Sequence, residues 1–276
     1  MSTHEFGYVV VGGGTAGNVV AARLSEEPSV TVCVLEAGPS DVGDDDVLRL
    51  ERWMGLLESG YDWDYPVEPQ ASGNSFMRHA RAKVLGGCSS HNSCIAFWAP
   101  AEDLDDWAAA GCTSWSAADL FPLYRHVTRA KSRGTIRLRT RDYRDKPRVD
   151  PRYFTHEHDV RVMTYGLRLA RRIAEQPALS GWAGAELAPG PDVRTDGERL
   201  DYIHTTHNTM YHPSCTVKMG ADDDPSAPLD ARLRVKGEEG LRVADGSVMP
   251  DLVTVNPCIT TMMIGEKCAE LLRGAA

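Results

Sequence analysis

Residues 6–36 read FGYVVVGGGTAGNVVAARLSEEPSVTVCVLE. The run Phe6–Val11 is short, apolar and β-branched, as a buried parallel strand is. A glycine cluster follows, then Ala16–Leu24, which reads as a helix. Val30–Leu35 reads as a second buried strand. Strand, glycine turn, helix, strand is one βαβ unit. Within it stands Gly12-x-Gly14-x-x-Gly17. The first glycine permits a tight turn, the second lets backbone approach a pyrophosphate, and the third allows helix and strand to pack closely. The helix N-terminus then faces the phosphates with its partial positive charge. Glu36 closes the second strand, about 20 residues past the glycines, where a carboxylate accepts hydrogen bonds from a ribose diol. The bland alternative is a glycine turn with no ligand, which leaves that carboxylate unexplained.

Three later stretches carry further signals. Residues 83–93, KVLGGCSSHNS, combine glycines, small polar residues and a histidine, suited to backbone that hugs a planar ligand. Residues 240–257 place Asp245 after an expected short strand, Leu241–Val243, and end on Asn256-Pro257. Residues 207–213, HNTMYHP, fix His212 before a proline, which limits its backbone. Taken singly, each of these also reads as an ordinary turn or a structural histidine.

The 276 residues are 42% hydrophobic and 25% charged, with a formal net charge of -9. Such a composition supports one large or two small domains with a real core. The acidic balance argues against nucleic-acid partners and mildly favours cationic ligands. No stretch has the apolar length of a membrane span, and the start enters a strand without a basic, then apolar leader. The seven cysteines form no CxxC pair, which suggests free thiols in a reducing, cytoplasmic setting. His204, His207 and His212 do not have a standard zinc spacing, so no metal is expected. Helices are further expected over 101–110, 117–124 (with Ser116 as N-cap), 160–175 and 260–272, and a strand over 134–140. Residues 38–47 read as an acidic loop, and 61–100 as loops and extended chain.

Together the stretches VVVGGGTAGNVVAARLSE, LGGCSSHNS, HNTMYHP and LRVADGSVMPDLVTVNP, in that order, resemble the glucose–methanol–choline (GMC) oxidoreductases. RWMGLLESGYDWDYPVEPQ, NSFMRHARAKVLGGCSSHNSCIAFWAP and KPRVDPRYF bring the resemblance nearest to the choline-oxidising branch. The resemblance covers nearly all of the chain and implies an α/β fold. An FAD-binding Rossmann-like domain would comprise 1–100 and 211–276, and 101–210 would be the remnant of an α+β substrate domain. Family members run to roughly twice this length. Their long central segment has no counterpart here, and the junction falls near 125–130.

The resemblance also assigns roles. Gly12, Gly14, Gly17 and Glu36 would bind the ADP half of FAD; Gly87, Asn92, Asp245, Asn256 and Pro257 would contact the flavin half. His91 matches a covalent flavin attachment point. His212, Asn256 and Ser93 match the catalytic edge. Trp63 and Met210 would line the pocket for a trimethylammonium group, consistent with cation–π recognition. Met210, Ser214, Cys215 and Cys258 depart from the close relatives' residues, which bears on pocket shape. The carboxylate that would face the cation belongs to the absent segment. The implied reaction oxidises a primary alcohol, choline-like, to the aldehyde and then to glycine betaine, with oxygen or another electron acceptor. A homodimer is one arrangement open to it. Two rival readings stand beside it: an impaired flavin-binding remnant, and a partly folded, non-enzymatic fragment.

Overall fold

The computed structural model describes residues 4–73, 76–92, 105, 118, 130–176, 184–253 and 256–274. The chain divides into two compact units. One comprises Met1–Tyr65, Arg78–Phe97 and Tyr211–Ala276; the other comprises Pro66–Met77 and Trp98–Met210.

The first unit is built on the βαβ element. β1 (Tyr8–Val11) pairs in parallel with β2 (Val32–Leu35), Tyr8 opposite Val32 and Val11 opposite Leu35. α1 (Thr15–Leu24) joins them and buries Ala16, Val20 and Leu24. α5 (Cys258–Arg273) packs on α1. The contact is close because a Cβ on Gly265 would stand 2.8 Å from the Ala16 carbonyl oxygen. Val20 and Leu24 of α1 meet Ile264 and Cys268 of α5, together with Leu229, Leu233, Val248 and Met249. Across the rim of this core Arg23 pairs with Glu266 at 2.7 Å.

The sequence expectation of strands buried on both faces is corrected for β1 and β2. Val9 is 54%, Val11 83% and Leu35 52% exposed. A parallel sheet in an α/β protein is normally covered on both faces. Among the described residues the sheet has two strands, so one helix layer covers only part of it.

Other elements of this unit are short. α2 (Asp45–Leu48) is one turn, capped by the Asp44 carboxylate, inside the stretch expected to be loop. A 3-10 helix spans Leu50–Leu56. Two two-residue strands, β3 (Tyr65–Pro66) and β4 (Arg78–His79), lie in the stretch expected to mix extended chain and loop. The strand expected over Leu241–Val243 is instead a single bridge between Arg234 and Arg242. The buried Asp230 organises that region by accepting the Arg232 and Arg234 amides, both at 2.9 Å.

In the second unit β5 (Thr135–Arg137) pairs antiparallel with β6 (Arg148–Asp150). α3 (Glu157–Ala174) and α4 (Asp196–Thr206) pack together. α4 carries no marked apolar stripe and was not expected. Its signal is local: Thr195 and Glu198 form a capping box. The buried Asp159 in the first turn of α3 accepts the Lys131 and Ser132 amides, both at 2.7 Å. The helices expected over 101–110 and 117–124, and the Ser116 cap, lie outside the described residues apart from 105 and 118.

Candidate active site

Each glycine of the fingerprint meets a different physical demand. Gly12 turns the chain at φ 95°, in the left-handed region, and its amide donates to Leu35 O at 2.7 Å. A Cβ on Gly17 would stand 2.1 Å from Gly12 O, so only hydrogen fits there. A Cβ on Gly14 would meet nothing within 4 Å: space lies open over the residue that caps α1. No side chain caps that helix, so its first amides are left to another partner. The Glu36 carboxylate accepts the Gly13 amide at 2.9 Å and the Gly38 amide at 2.8 Å. These residues fit a dinucleotide pyrophosphate and the ribose beside it.

The 83–92 loop docks onto this turn. The Gly86 amide donates to Gly13 O at 2.7 Å. Gly87 is buried with φ 55°, and a Cβ there would stand 2.8 Å from Gly14 Cα. The loop brings His91 into the unit's interior. His91 is 9% exposed, and its ring bonds to the Leu56 carbonyl. Its Nε2 is buried with no hydrogen-bond partner among the described residues. Burial, then the nearby Arg81 charge, holds its pKa below the ordinary imidazole range despite Asp62. The ring is therefore neutral at neutral pH. Asn92 follows, half-buried, and Ser93 lies outside the described residues.

His212 is half-buried, and its pKa is lowered first by burial and then by Arg81. Its turn abuts the 245–258 region. Cys215 donates to Gly246 O at 3.3 Å, Val217 to Ser247 O at 3.0 Å and Met219 to Val248 O at 2.9 Å. A Cβ on Gly246 would stand 3.7 Å from Ser214 Oγ and 3.6 Å from Thr261 Oγ1 of α5. The His212 turn and the start of α5 are thus neighbours. Asn256 is half-buried just before Pro257, the N-cap residue of α5. Asp245 is exposed and accepts the Ser247 amide at 2.7 Å, capping one 3-10 turn.

Trp63 stacks on Tyr65 with ring centroids 6.2 Å apart, and Lys83 Nζ lies 5.1 Å over the Trp63 ring. That face already holds a cation from this chain. Met210 is 58% exposed and belongs to the second unit.

Three polar residues escaped the sequence reading. Asp62 is buried and accepts the Asp64 amide at 2.9 Å, the Arg81 amide at 2.8 Å and the Glu58 amide at 3.0 Å. Arg81 influences His79, His91 and His212. His79 is 4% exposed, and neither ring nitrogen has a hydrogen-bond partner among the described residues. Burial and then Arg81 push its pKa down to about 4. No motif marks these positions; each acquires its setting through contacts that the fold makes.

Among the described residues no group of three or more candidate ligands could hold a metal ion, and no helix is long and apolar enough to cross a membrane. Of the seven cysteines, Cys33, Cys88 and Cys268 are free thiols.

Comparison with known proteins identifies the family. Residues 6–163 match the N-terminal part of the GMC oxidoreductase family, and residues 130–265 match its C-terminal part. Choline oxidase of Arthrobacter globiformis is 35% identical over 521 residues, covering all of this chain and 95% of the relative. That span exceeds the 276 residues here, so the relative has a large segment without a counterpart. Oxygen-dependent choline dehydrogenase of Stenotrophomonas maltophilia (strain K279a) is 41% identical over 157 residues, 57% of this chain and 28% of the relative. The structure of pyridoxine 4-oxidase from Mesorbium loti superposes with a TM-score of 0.81 at 18% identity, covering 98% of this chain and 99% of that one. The chain belongs to the GMC oxidoreductases, flavin-dependent enzymes of α/β architecture.

Proposed function

We propose that this protein binds FAD and oxidises a choline-like primary alcohol to the aldehyde, and its hydrate onward to the acid, glycine betaine for choline. The observation that carries the reading is the glycine cradle: open space over Gly14, the uncapped start of α1 and the Glu36 carboxylate beside it. The names of the relatives support the substrate class. Gly12, Gly14, Gly17 and Glu36 hold the ADP half. Gly87, Asn92, Asp245, Asn256 and Pro257 hold the flavin half.

FAD, when bound, supplies the acceptor for the hydride that leaves the alcohol carbon, and oxygen or another acceptor takes the electrons on. The chain's own groups do the rest. His212, neutral because burial and Arg81 lower its pKa, accepts a hydrogen bond from the substrate hydroxyl and can take its proton. Asn256 donates to the oxygen as negative charge develops there. Ser93 is assigned to the same edge as part of this reading. His91, neutral and with an unpartnered Nε2, is the covalent attachment point. Trp63 receives the substrate cation, which takes the place of Lys83 on its ring, and Met210 is assigned separately as a substrate contact. The FAD domain comprises 1–100 and 211–276, and 101–210 is what remains of the substrate domain, with the junction near 125–130. A cytoplasmic setting, supported by the free Cys33, Cys88 and Cys268 thiols, and a homodimer complete the reading.

A second reading is an impaired flavin-binding remnant. The exposed Val9, Val11 and Leu35 favour it, because a catalytic site closed against water needs the layers that normally cover this sheet. Purified protein separates the cases. Yellow colour establishes flavin, its persistence in an acid-precipitated pellet establishes covalent attachment, and peroxide release on adding choline establishes turnover. Flavin that releases no peroxide and that choline also fails to bleach without oxygen supports the remnant; a folded protein that takes up no flavin overturns both.

A further inference from the structure

Arg81 and Tyr211 are 130 residues apart in the chain, yet the Arg81 Nη2 donates to the Tyr211 carbonyl, one residue before His212. The arginine is itself rigidly mounted. Its amide donates to Asp62 Oδ1 at 2.8 Å, its carbonyl accepts the Trp63 amide at 2.8 Å, and its Nε donates to the Ala80 carbonyl. Asp62 is buried and also takes the Glu58 amide at 3.0 Å. On the other side, Tyr211 stands at φ 61°, in the left-handed region that a bulky side chain enters only when its surroundings enforce it. Pro213 restricts His212 from the next position.

We propose that Arg81 is the positioning residue of His212: its guanidinium clamps the Tyr211 carbonyl and so fixes the turn that carries the histidine. A planar fork with several donors serves the carbonyl and the neighbouring backbone at once, which a lysine ammonium cannot do in the same geometry. The clamp has an electrostatic consequence. Among the described residues the charged or titratable groups that act on His212 are Arg81 and His79, and His79 is neutral above about pH 4. Arg81 is therefore the standing charge that disfavours protonation of His212. One group both places the ring and keeps it able to accept a proton. The consequence for turnover rests on the proposed role of His212, but the clamp is measurable without turnover.

The test uses the full chain with Arg81→Met and Arg81→Lys, each confirmed folded by far-ultraviolet circular dichroism. Two readouts are followed: hydrogen–deuterium exchange of peptides covering 209–215, and the pH titration of the His212 ring by NMR, assigned with His212→Asn. Arg81→Met should speed exchange in that segment by on the order of tenfold, as expected for losing one anchoring hydrogen bond, while α1 and α5 keep their protection. It should also raise the His212 midpoint. Arg81→Lys should restore the midpoint and part of the protection. If either readout is unchanged in folded Arg81→Met, the proposal is overturned. Should that variant not fold, Arg81→Gln decides instead, since it keeps a polar group at the Nε position but is uncharged and too short to reach the Tyr211 carbonyl. The segment should then exchange faster and the midpoint rise, and an unchanged value of either overturns the proposal. A failure of the catalytic reading looks different, because His212→Ala would then leave flavin reduction unchanged while the clamp readouts still respond to Arg81.

Discussion

The Glu36 carboxylate accepts the Gly13 amide at 2.9 Å, so the residue just after β2 is tied directly to the loop that leaves β1. Its other oxygen takes the Gly38 amide at 2.8 Å. The carboxylate thus shapes the glycine loop, and the proposed function has it accept from a ribose as well. Glu36→Ala should weaken FAD binding by about 10- to 100-fold, the range for losing charge-assisted hydrogen bonds. Quenching of FAD fluorescence on titration gives the Kd; an unchanged value removes Glu36 from the cofactor site.

Two glycine substitutions should separate folding from binding. Gly17→Ala places a methyl 2.1 Å from Gly12 O, against backbone that cannot move freely. It should cost about 1–3 kcal/mol of stability or more, read by urea unfolding. Gly14 has φ -76° and open space around it, so Gly14→Ala should leave the urea midpoint nearly unchanged while FAD affinity falls. Equal stability losses in the two variants contradict the division of roles.

The βαβ element was legible because continuous apolar runs and a glycine turn leave few alternatives. Even so β2 begins at Val32, not at Val30. α4 was missed because its sequence lacks a strong apolar stripe, and the Thr195–Glu198 capping box was the local signal available. Leu241–Val243 read as a strand from its apolar residues but forms only the Arg234–Arg242 bridge. At the candidate site, motif residues such as Gly12, Gly17 and Glu36 could be named because their roles are local. Asp62, His79 and Arg81 could not: a polar residue in sequence gives no sign that folding will bury it.

His91→Ala tests attachment. Acid precipitation of the loaded wild type should leave the colour in the pellet, and the variant should release it to the supernatant. Colour that stays with the variant's pellet assigns attachment to another residue.

His79 predicts an acid limb in the stability profile. Its folded pKa, about 4, lies below the ordinary 6.5, because burial and then Arg81 disfavour the charged ring. The unfolded chain therefore binds the extra proton first. Stability from this group is fully present above about pH 6.5 and is lost as pH falls toward about 4. The loss is on the order of 3 kcal/mol. His79→Leu should flatten that limb in urea unfolding followed between neutral pH and pH 4; an identical slope in both proteins contradicts it.

The central claim is that bound flavin is reduced by an alcohol at His212. Mixing FAD-loaded protein with choline without oxygen tests this most directly, with the oxidised-flavin absorbance followed in wild type and His212→Ala. The account predicts bleaching in the wild type and intact flavin binding in the variant, with reduction slower by at least about a hundredfold. Wild-type flavin that choline never bleaches contradicts the proposed oxidation, and a variant that bleaches at the wild-type rate contradicts the role of His212.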